Sequence, residues 1–415
     1  MIRNLQIVQV VNWICRILFI SFFLPAKWQT FIMIAFSACT IIYSVYKKIL
    51  VEQKEFLLAF LLGGGFLFYL AWIPFTPDIA KGELLSLIER KISLFLFPFV
   101  FLLFTKITTI TFRTQLPWFS IGFLAMSFYA NLRILFVAIG MQGSQFSDHV
   151  TYRIAFEQYA QIHPSYFGMY GCFAIAILWL YGSAFFVERH WLSYLLQFLI
   201  LISLILLVPK TAMVALILIF IYAMIFVFSY SPRIKVYIGL ILALILPCIY
   251  LLIPFVHQRV GEVLYSFSHI TPNMNNSVDM RSLLVTFDLM LLKDHWLFGL
   301  GPAELQSQLN LLLYYFSFYA GHPLGTYNTH NEYLNQWLSF GLFGFLFFIS
   351  ILWIHVWRAI RRKQTIYLFL MMILMTMFLT ENILSRQHGI LFFALFTSLF
   401  YFSPADNEPD RISVT

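Results

Sequence analysis

The chain has 415 residues, of which 61% are hydrophobic and only 11% are charged, and its formal net charge is +8. A soluble domain has roughly a quarter charged residues, so this composition excludes an ordinary soluble protein. The apolar residues occur in runs long enough to cross a bilayer. The sequence therefore predicts an all-α, polytopic helical membrane protein in which residues 1–415 form a single transmembrane domain.

About twelve transmembrane helices are predicted along the chain, because each membrane-crossing helix needs roughly 17–25 mostly apolar residues. Their centres lie near Phe19, Ala35, Phe66, Pro98, Ser127, Ile175, Leu199, Leu218, Ala243, Phe345, Met372 and Phe396. The first run is interrupted by Arg16 and lacks a clear cleavage site, so we expect it to remain as the first span. Short basic connections, above all Arg358–Lys363, favour an orientation with both termini in the cytoplasm.

The connection between the ninth and tenth predicted spans, residues 255–329, is long enough to form its own structure. Asn276 or Ser277 is a suitable N-cap for a helix over about 278–293. Pro302 suits the first position of a second helix that ends near Tyr319. We expect a helical extracytoplasmic loop on the outer membrane surface.

The segment Tyr327–Leu334 precedes the tenth predicted span. Thr329 and Glu332 have the spacing of a capping box, which predicts His330 at the first helical position. The amide end of a helix favours an anion such as a diphosphate, and a histidine there can exchange a proton near neutral pH. The alternative interpretation is a histidine that only satisfies a helix end.

Basic side chains recur at the predicted starts of other inward-running helices. They are Arg90, Lys91, His163, Lys210 and Arg386. A cation opposes the dipole at a helix N-terminus, so the set favours a bound anion over snorkelling toward lipid headgroups, which remains the alternative. For Glu381 the default expectation is an ion pair with the nearby Arg386, and Arg281 could pair with Asp288 on one helix face.

No phosphate-binding loop with lysine occurs, and the spacings typical of metal ligands are missing. We therefore expect chemistry that uses neither a bound metal nor a cofactor.

Three phrases together resemble the O-antigen ligase and O-antigen polymerase superfamily of bacterial envelope glycosyltransferases. These are Arg281 in a helical stretch, Asp294-His-Trp-Leu-Phe-Gly-Leu-Gly301, and Thr329-His-Asn-Glu-Tyr-Leu334 with Gly341 and Gly344. The resemblance is best over residues 278–347. It implies a lipopolysaccharide or polysaccharide biosynthesis enzyme of the bacterial inner membrane whose active face is periplasmic.

The resemblance implies transfer of a glycan from undecaprenyl diphosphate to an acceptor hydroxyl, with His330 as the catalytic base. Arg281 and Lys210 are then expected to bind the diphosphate. Arg90, Lys91 and Arg386 are further expected ligands, but only because the predicted topology places them on the same side of the membrane. The expected supporting residues are Asn331, Glu332, Tyr333, His163 and Glu381. Nothing in the sequence identifies the acceptor: lipid A–core would make the protein a ligase, and a second lipid-linked repeat unit would make it a polymerase. A polytopic transporter or lipid flippase is the rival from another class.

Overall fold

The computed structural model describes residues 2–108, 112–140, 149–252, 257, 261, 277–321 and 323–404. Within these residues the regular secondary structure is helical, as the sequence predicts. The bilayer core holds no water, so backbone N–H and C=O groups there must find hydrogen-bond partners within the protein. A long apolar helix meets that requirement within a single segment.

The helices up to the middle of the chain are α1 (Ile2–Ser21), α2 (Ala26–Tyr46), α3 (Gln53–Gly63), α4 (Gly65–Ala71), α5 (Asp78–Ile107), α6 (Phe112–Gln115), α7 (Pro117–Gly140), α8 (His149–Ala160) and α9 (Pro164–Phe185). The remaining helices are α10 (His190–Leu207), α11 (Lys210–Tyr222), α12 (Pro232–Leu252), α13 (Ser277–His295), α14 (Glu304–Ala320), α15 (Glu332–Arg361), α16 (Thr365–Met377) and α17 (Gln387–Phe402).

Six helical stretches in the described residues are long and apolar enough to cross a membrane, and there are seven when the pair α3–α4, which is bent by 62° at Gly64, is counted as one span. All the predicted span centres lie in helices. The total of twelve stays a prediction, because α1, α5 and α12 are not among these stretches and α16 and α17 have only 13 and 16 residues.

Helix α9 lies at the centre of the bundle. Its apolar window is 83% buried inside the protein, whereas those of α10 and α11 are 28% buried. Its side chains Tyr170 and Phe173 pack edge-on or tilted against Phe119 of α7 and Phe392 of α17, and Tyr170 also packs against Phe22 in the turn after α1. Because lipid supplies no hydrophobic drive between helices, this close aromatic packing is what holds the bundle together.

The two helices predicted within residues 255–329 are present as α13 and α14. Helix α14 begins at Glu304, so Pro302 precedes the helix instead of occupying its first position. Helix α13 begins at Ser277, while the alternative N-cap Asn276 lies outside the described residues. Leu284 and Phe287 of α13 share a second, smaller apolar cluster with Leu305 and Leu309 of α14.

Helix α15 is broken at Gly341, where the backbone takes φ +67° and ψ −168°. The loop after α13 fills the break: Leu300 N donates to Leu338 O at 2.7 Å, and Leu342 N donates to Leu297 O at 3.1 Å. A Cβ on Gly341 would lie 2.1 Å from Leu297 O, so only glycine fits there. The close backbone approach at Gly341 therefore joins a loop to a broken helix.

Candidate active site

The carboxylate of Glu381, in the turn after α16, collects side chains from three distant parts of the chain. Its Oε1 accepts hydrogen bonds from Arg281 Nη2 at 2.7 Å and from Ser165 Oγ at 3.0 Å. Its Oε2 lies 3.5 Å from His330 Nδ1. Arg281, Ser165, His330 and Glu381 thus form one group, which we call the Glu381 cluster.

The cluster holds a buried negative charge. Burial raises the pKa of Glu381, but the nearby His330 and the charge of Arg281 outweigh it, and the pKa falls to about 2. His163, the N-cap of α9, lies within electrostatic reach; burial lowers its pKa, although the charge of Glu381 opposes the shift. Its Nδ1 accepts a hydrogen bond from Ser165 N at 3.3 Å, which requires an unprotonated nitrogen. The structure therefore supports a charged Glu381 beside a neutral His163.

His330 lies one residue before the N-cap of α15, so the predicted capping box is wrong. Asn331 is the N-cap, and its Oδ1 accepts from Leu334 N at 3.0 Å. Thr329 instead accepts from Asn382 Nδ2 at 2.8 Å. Asparagine caps a helix at least as well as threonine, and its extended backbone suits the position. His330 itself takes φ +46°, a left-handed conformation that is uncommon for residues other than glycine.

The three residues after His330 tie the start of α15 to the end of α16. Asn331 Nδ2 donates to Leu379 O at 3.1 Å, and Tyr333 Oη donates to Met375 O at 3.1 Å. The fully buried Glu332 accepts from Gln336 Nε2 at 2.7 Å and from Leu384 N at 2.8 Å. These contacts hold His330 beside the turn that carries Glu381.

Residues 195–349 match a family model described as O-antigen ligase. Over this segment the chain is similar to the O-antigen ligase family. The segment contains Lys210, Arg281 and His330, while Ser165 and Glu381 lie outside it. No curated protein sequence matches the chain significantly.

Lys210, within the O-antigen ligase segment, opens α11 as predicted. The next residue, Thr211, is hydrogen-bonded to Thr380, the neighbour of Glu381. Helix α11 therefore begins beside the Glu381 cluster.

Arg90 and Lys91 do not open a helix, because α5 begins at Asp78, twelve residues before Arg90. The side chain of Arg90 is exposed and donates hydrogen bonds to Ser86 of its own helix. Lys91 is 2% exposed; its Nζ donates to Leu384 O at 2.6 Å and lies 4.7 Å from the centre of the Tyr69 ring. The prediction failed because Pro77 and Asp78 begin the helix well before the apolar run does. Lys91 therefore supports the turn after Glu381 from within the protein.

Arg386 is the N-cap residue of α17 and lies 3.6 Å from Glu157 of α8. The expected ion pair of Arg386 with Glu381 is therefore wrong, because Arg281 takes that carboxylate. The expected pair of Arg281 with Asp288 is wrong for the same reason. Sequence proximity favoured both pairs, but helix packing decided them.

Sequence reasoning missed Ser165 and Asn382. Ser165 stands in the first turn of α9 directly after Pro164, and Asn382 follows Glu381; both are small polar residues at helix ends, which is the only signal that marks them. In the described part of the chain, no three His, Cys, Asp or Glu side chains come together so that they could hold a metal ion.

Proposed function

We propose that this chain transfers a glycan from undecaprenyl diphosphate to an acceptor hydroxyl at the periplasmic face of the bacterial inner membrane. The O-antigen ligase segment supports glycan transfer in general. The observation that carries the specific proposal is the pairing of Glu381 with both Arg281 and His330, which puts a candidate base and a candidate anion ligand on one carboxylate.

His330 is the proposed general base. The charged Glu381 next to Nδ1 favours the tautomer that carries its proton on Nδ1, which leaves Nε2 able to take the proton of the acceptor hydroxyl. The acceptor oxygen then bonds to the anomeric carbon of the glycan as the bond from that carbon to the diphosphate oxygen breaks. The proton stays on His330 until it passes to solvent.

Arg281 and Lys210 are the proposed ligands of the departing diphosphate. Arg281 uses Nη2 for Glu381, and its Nε is buried with no hydrogen-bond partner among the described residues. A phosphate oxygen would satisfy that nitrogen and balance the charge that develops on the leaving group. Arg90 and Arg386 are left as weaker candidates, because both are exposed and have other contacts.

A small apolar cavity of about 50 Å³ lies beside the turn that carries Glu381. It is lined by aromatic side chains of α4 and α15, among them Tyr69, Phe340 and Phe347, and it reaches Gln336 and Leu384. Gln336 binds Glu332, and Leu384 is three residues from Glu381. The apolar, aromatic lining of this cavity is compatible with a lipid-linked donor whose isoprenoid chain lies next to the turn that carries the cluster.

His330→Ala and Arg281→Ala each test the proposal. Purified protein is incubated with an undecaprenyl-diphosphate-linked glycan and lipid A–core, and product is measured. Both variants should lose about a hundredfold or more of the transfer rate, because each removes a group that acts in the transition state. His190→Ala and Arg189→Ala are the matched controls, since both residues are exposed at the start of α10. Wild-type rates in both site variants would overturn the proposal.

The same assay separates the ligase from its alternatives. A ligase uses lipid A–core as acceptor and, when mutated in cells, accumulates lipid-linked glycan. A polymerase instead lengthens the lipid-linked glycan without any lipid A–core. A transporter or flippase forms no new glycosidic bond with either acceptor.

A further inference from the structure

A second cavity, which is lined by arginines and aromatic side chains, lies at the end of α15 remote from His330. After its break at Gly341 the helix continues for twenty residues, which corresponds to about 30 Å, the thickness of a bilayer hydrocarbon core. The cavity has a volume of about 380 Å³. Its lining includes Trp353, Trp357, Arg358, Arg361, Arg362 and Tyr401.

The three arginines of this cavity keep unused donors. Arg358 Nη2 donates to Tyr401 O at 3.3 Å and Arg362 Nη1 donates to Ser403 O at 2.6 Å, so both side chains are held by backbone carbonyls. Arg358 Nε is buried without a hydrogen-bond partner among the described residues. Within that same part of the chain, neither these two arginines nor the exposed Arg361 forms a salt bridge with a carboxylate.

The aromatic side of the cavity faces away from the protein core. Trp353 and Trp357 are 62% and 52% exposed, and their rings stack with centroids 6.5 Å apart. Tryptophan is enriched where a protein meets the lipid headgroups, because its ring is apolar and its N–H is polar. The cavity therefore combines fixed guanidinium groups with a wall suited to the glycerol region of a lipid.

We infer that this cavity binds the phosphate headgroup of an anionic phospholipid in the leaflet opposite the Glu381 cluster. Arginine binds phosphate through several N–H groups at once, and basic pockets between transmembrane helices recognise anionic headgroups. The orientation predicted from the basic clusters makes this the cytoplasmic leaflet. This lipid site does not take part in the proposed glycan transfer, so the test of lipid binding is independent of the test of the proposed function.

The test is native mass spectrometry of the detergent-purified protein with dioleoyl phosphatidylglycerol, compared with dioleoyl phosphatidylcholine. The anionic lipid should bind preferentially. Arg361→Gln should weaken its binding about fivefold, the effect of one cation near a charged lipid surface. Arg361 is exposed, so its loss should leave the fold intact; Arg358→Gln should weaken binding further. Lys363→Gln is the matched control, because Lys363 is also exposed and basic but does not line the cavity.

Three results would overturn the inference. One is equal binding of the two lipids, and another is an equal loss in Lys363→Gln and Arg361→Gln. The third is displacement of the lipid by inorganic phosphate at a comparable concentration, which would mean a site for free anions. Neutralising the acidic residues Asp406, Glu408 and Asp410 beyond α17 should leave lipid binding unchanged or tighter.

Discussion

At the scale of single residues, Glu381 is the point at which the candidate site is assembled. It is 5% exposed, yet its carboxylate stays charged because Arg281, Ser165 and His330 all lie within bonding or ion-pair distance. A buried charge is costly unless it is paired, so each partner stabilises the position of the others. The left-handed backbone of His330 is stabilised by Asn328, whose Oδ1 accepts a hydrogen bond from His330 N at 3.1 Å.

Replacing Glu381 with glutamine tests this arrangement. Glu381→Gln keeps the shape but removes the charge that orients His330 and balances Arg281, so the transfer rate should fall about a hundredfold or more. The measurement is the single-turnover rate with the purified protein. Glu188→Gln, at an exposed position, is the control and should behave as wild type. A normal rate for Glu381→Gln in folded protein would remove the cluster from the mechanism.

At the scale of elements, the contact between the loop after α13 and the break in α15 positions Arg281 relative to His330. The loop contains two glycines with positive φ, Gly299 and Gly301. Its backbone is hydrogen-bonded to Leu338 and Ser339, next to the break at Gly341. Trp337 Nε1 adds a bond to Trp296 O at 2.8 Å. Apart from the Trp337 bond, the loop and the broken helix meet through their backbones. They can approach so closely only because the glycines have no side chains.

Gly341→Ala should destabilise the protein and lower its transfer rate together. The new Cβ would lie 2.1 Å from Leu297 O at a φ that alanine adopts only at a cost of about 1–3 kcal/mol, before the clash is counted. Thermal unfolding in detergent and the transfer assay measure the two effects. Gly239→Ala in α12 meets no atom within 4 Å and should be neutral or slightly stabilising. Equal behaviour of the two variants would contradict the assigned role of the break.

Helix α13 also carries Asp288, a fully buried carboxyl group with no hydrogen-bond partner among the described residues. Burial raises the pKa of Asp288 from 3.8 to about 8. The folded protein therefore keeps this proton up to about pH 8, whereas the unfolded chain loses it near pH 4. The free energy of unfolding must then fall as the pH rises between these values.

Asp288→Asn removes this titration. The variant should gain on the order of 5 kcal/mol over wild type at pH 8 and little at pH 4. Thermal unfolding at both pH values measures the difference, and Asp294→Asn, at an exposed position in the same helix, should show no such dependence. A gain of the same size at both pH values would show that charge is not its cause.

At the scale of the whole molecule, the described helices surround α9, and the Glu381 cluster and the arginine cavity lie near opposite ends of α15. Because α15 is long and apolar enough to cross a membrane, we predict that the two groups face opposite sides of it, in agreement with the orientation that the basic clusters predict. The segment with α13 and α14 should share the side of the Glu381 cluster.

Labelling of single cysteines tests that orientation. In a chain whose Cys15, Cys39, Cys172 and Cys248 are replaced by alanine, Ser307→Cys in α14 should react with an impermeant thiol reagent added to intact spheroplasts. Lys363→Cys should react only after the membrane is permeabilised. Both positions are exposed in the structure, so access alone does not separate them. Labelling of both from one side would contradict the predicted topology.

The positions of the helices were predictable because a long apolar run determines its own backbone in lipid, whatever it packs against. Each predicted span centre, from Phe19 to Phe396, lies in a helix. Arg281 and His330 were also recognisable from the residues around them. The predictions of where helices begin were less successful. Helix α5 begins at Asp78 and α15 begins after Asn331, because the polar first turn of a helix is not part of its apolar run.

By itself the sequence determined the class of protein, the order of its helices and the residue types able to bind an anion or move a proton. Only the tertiary structure decided that Arg281 binds Glu381 and not Asp288, that Lys91 is buried, and that Ser165 joins the cluster. The physical reason is that helical periodicity is a local property of the backbone. Ion pairing depends instead on which helices, distant along the chain, pack side by side.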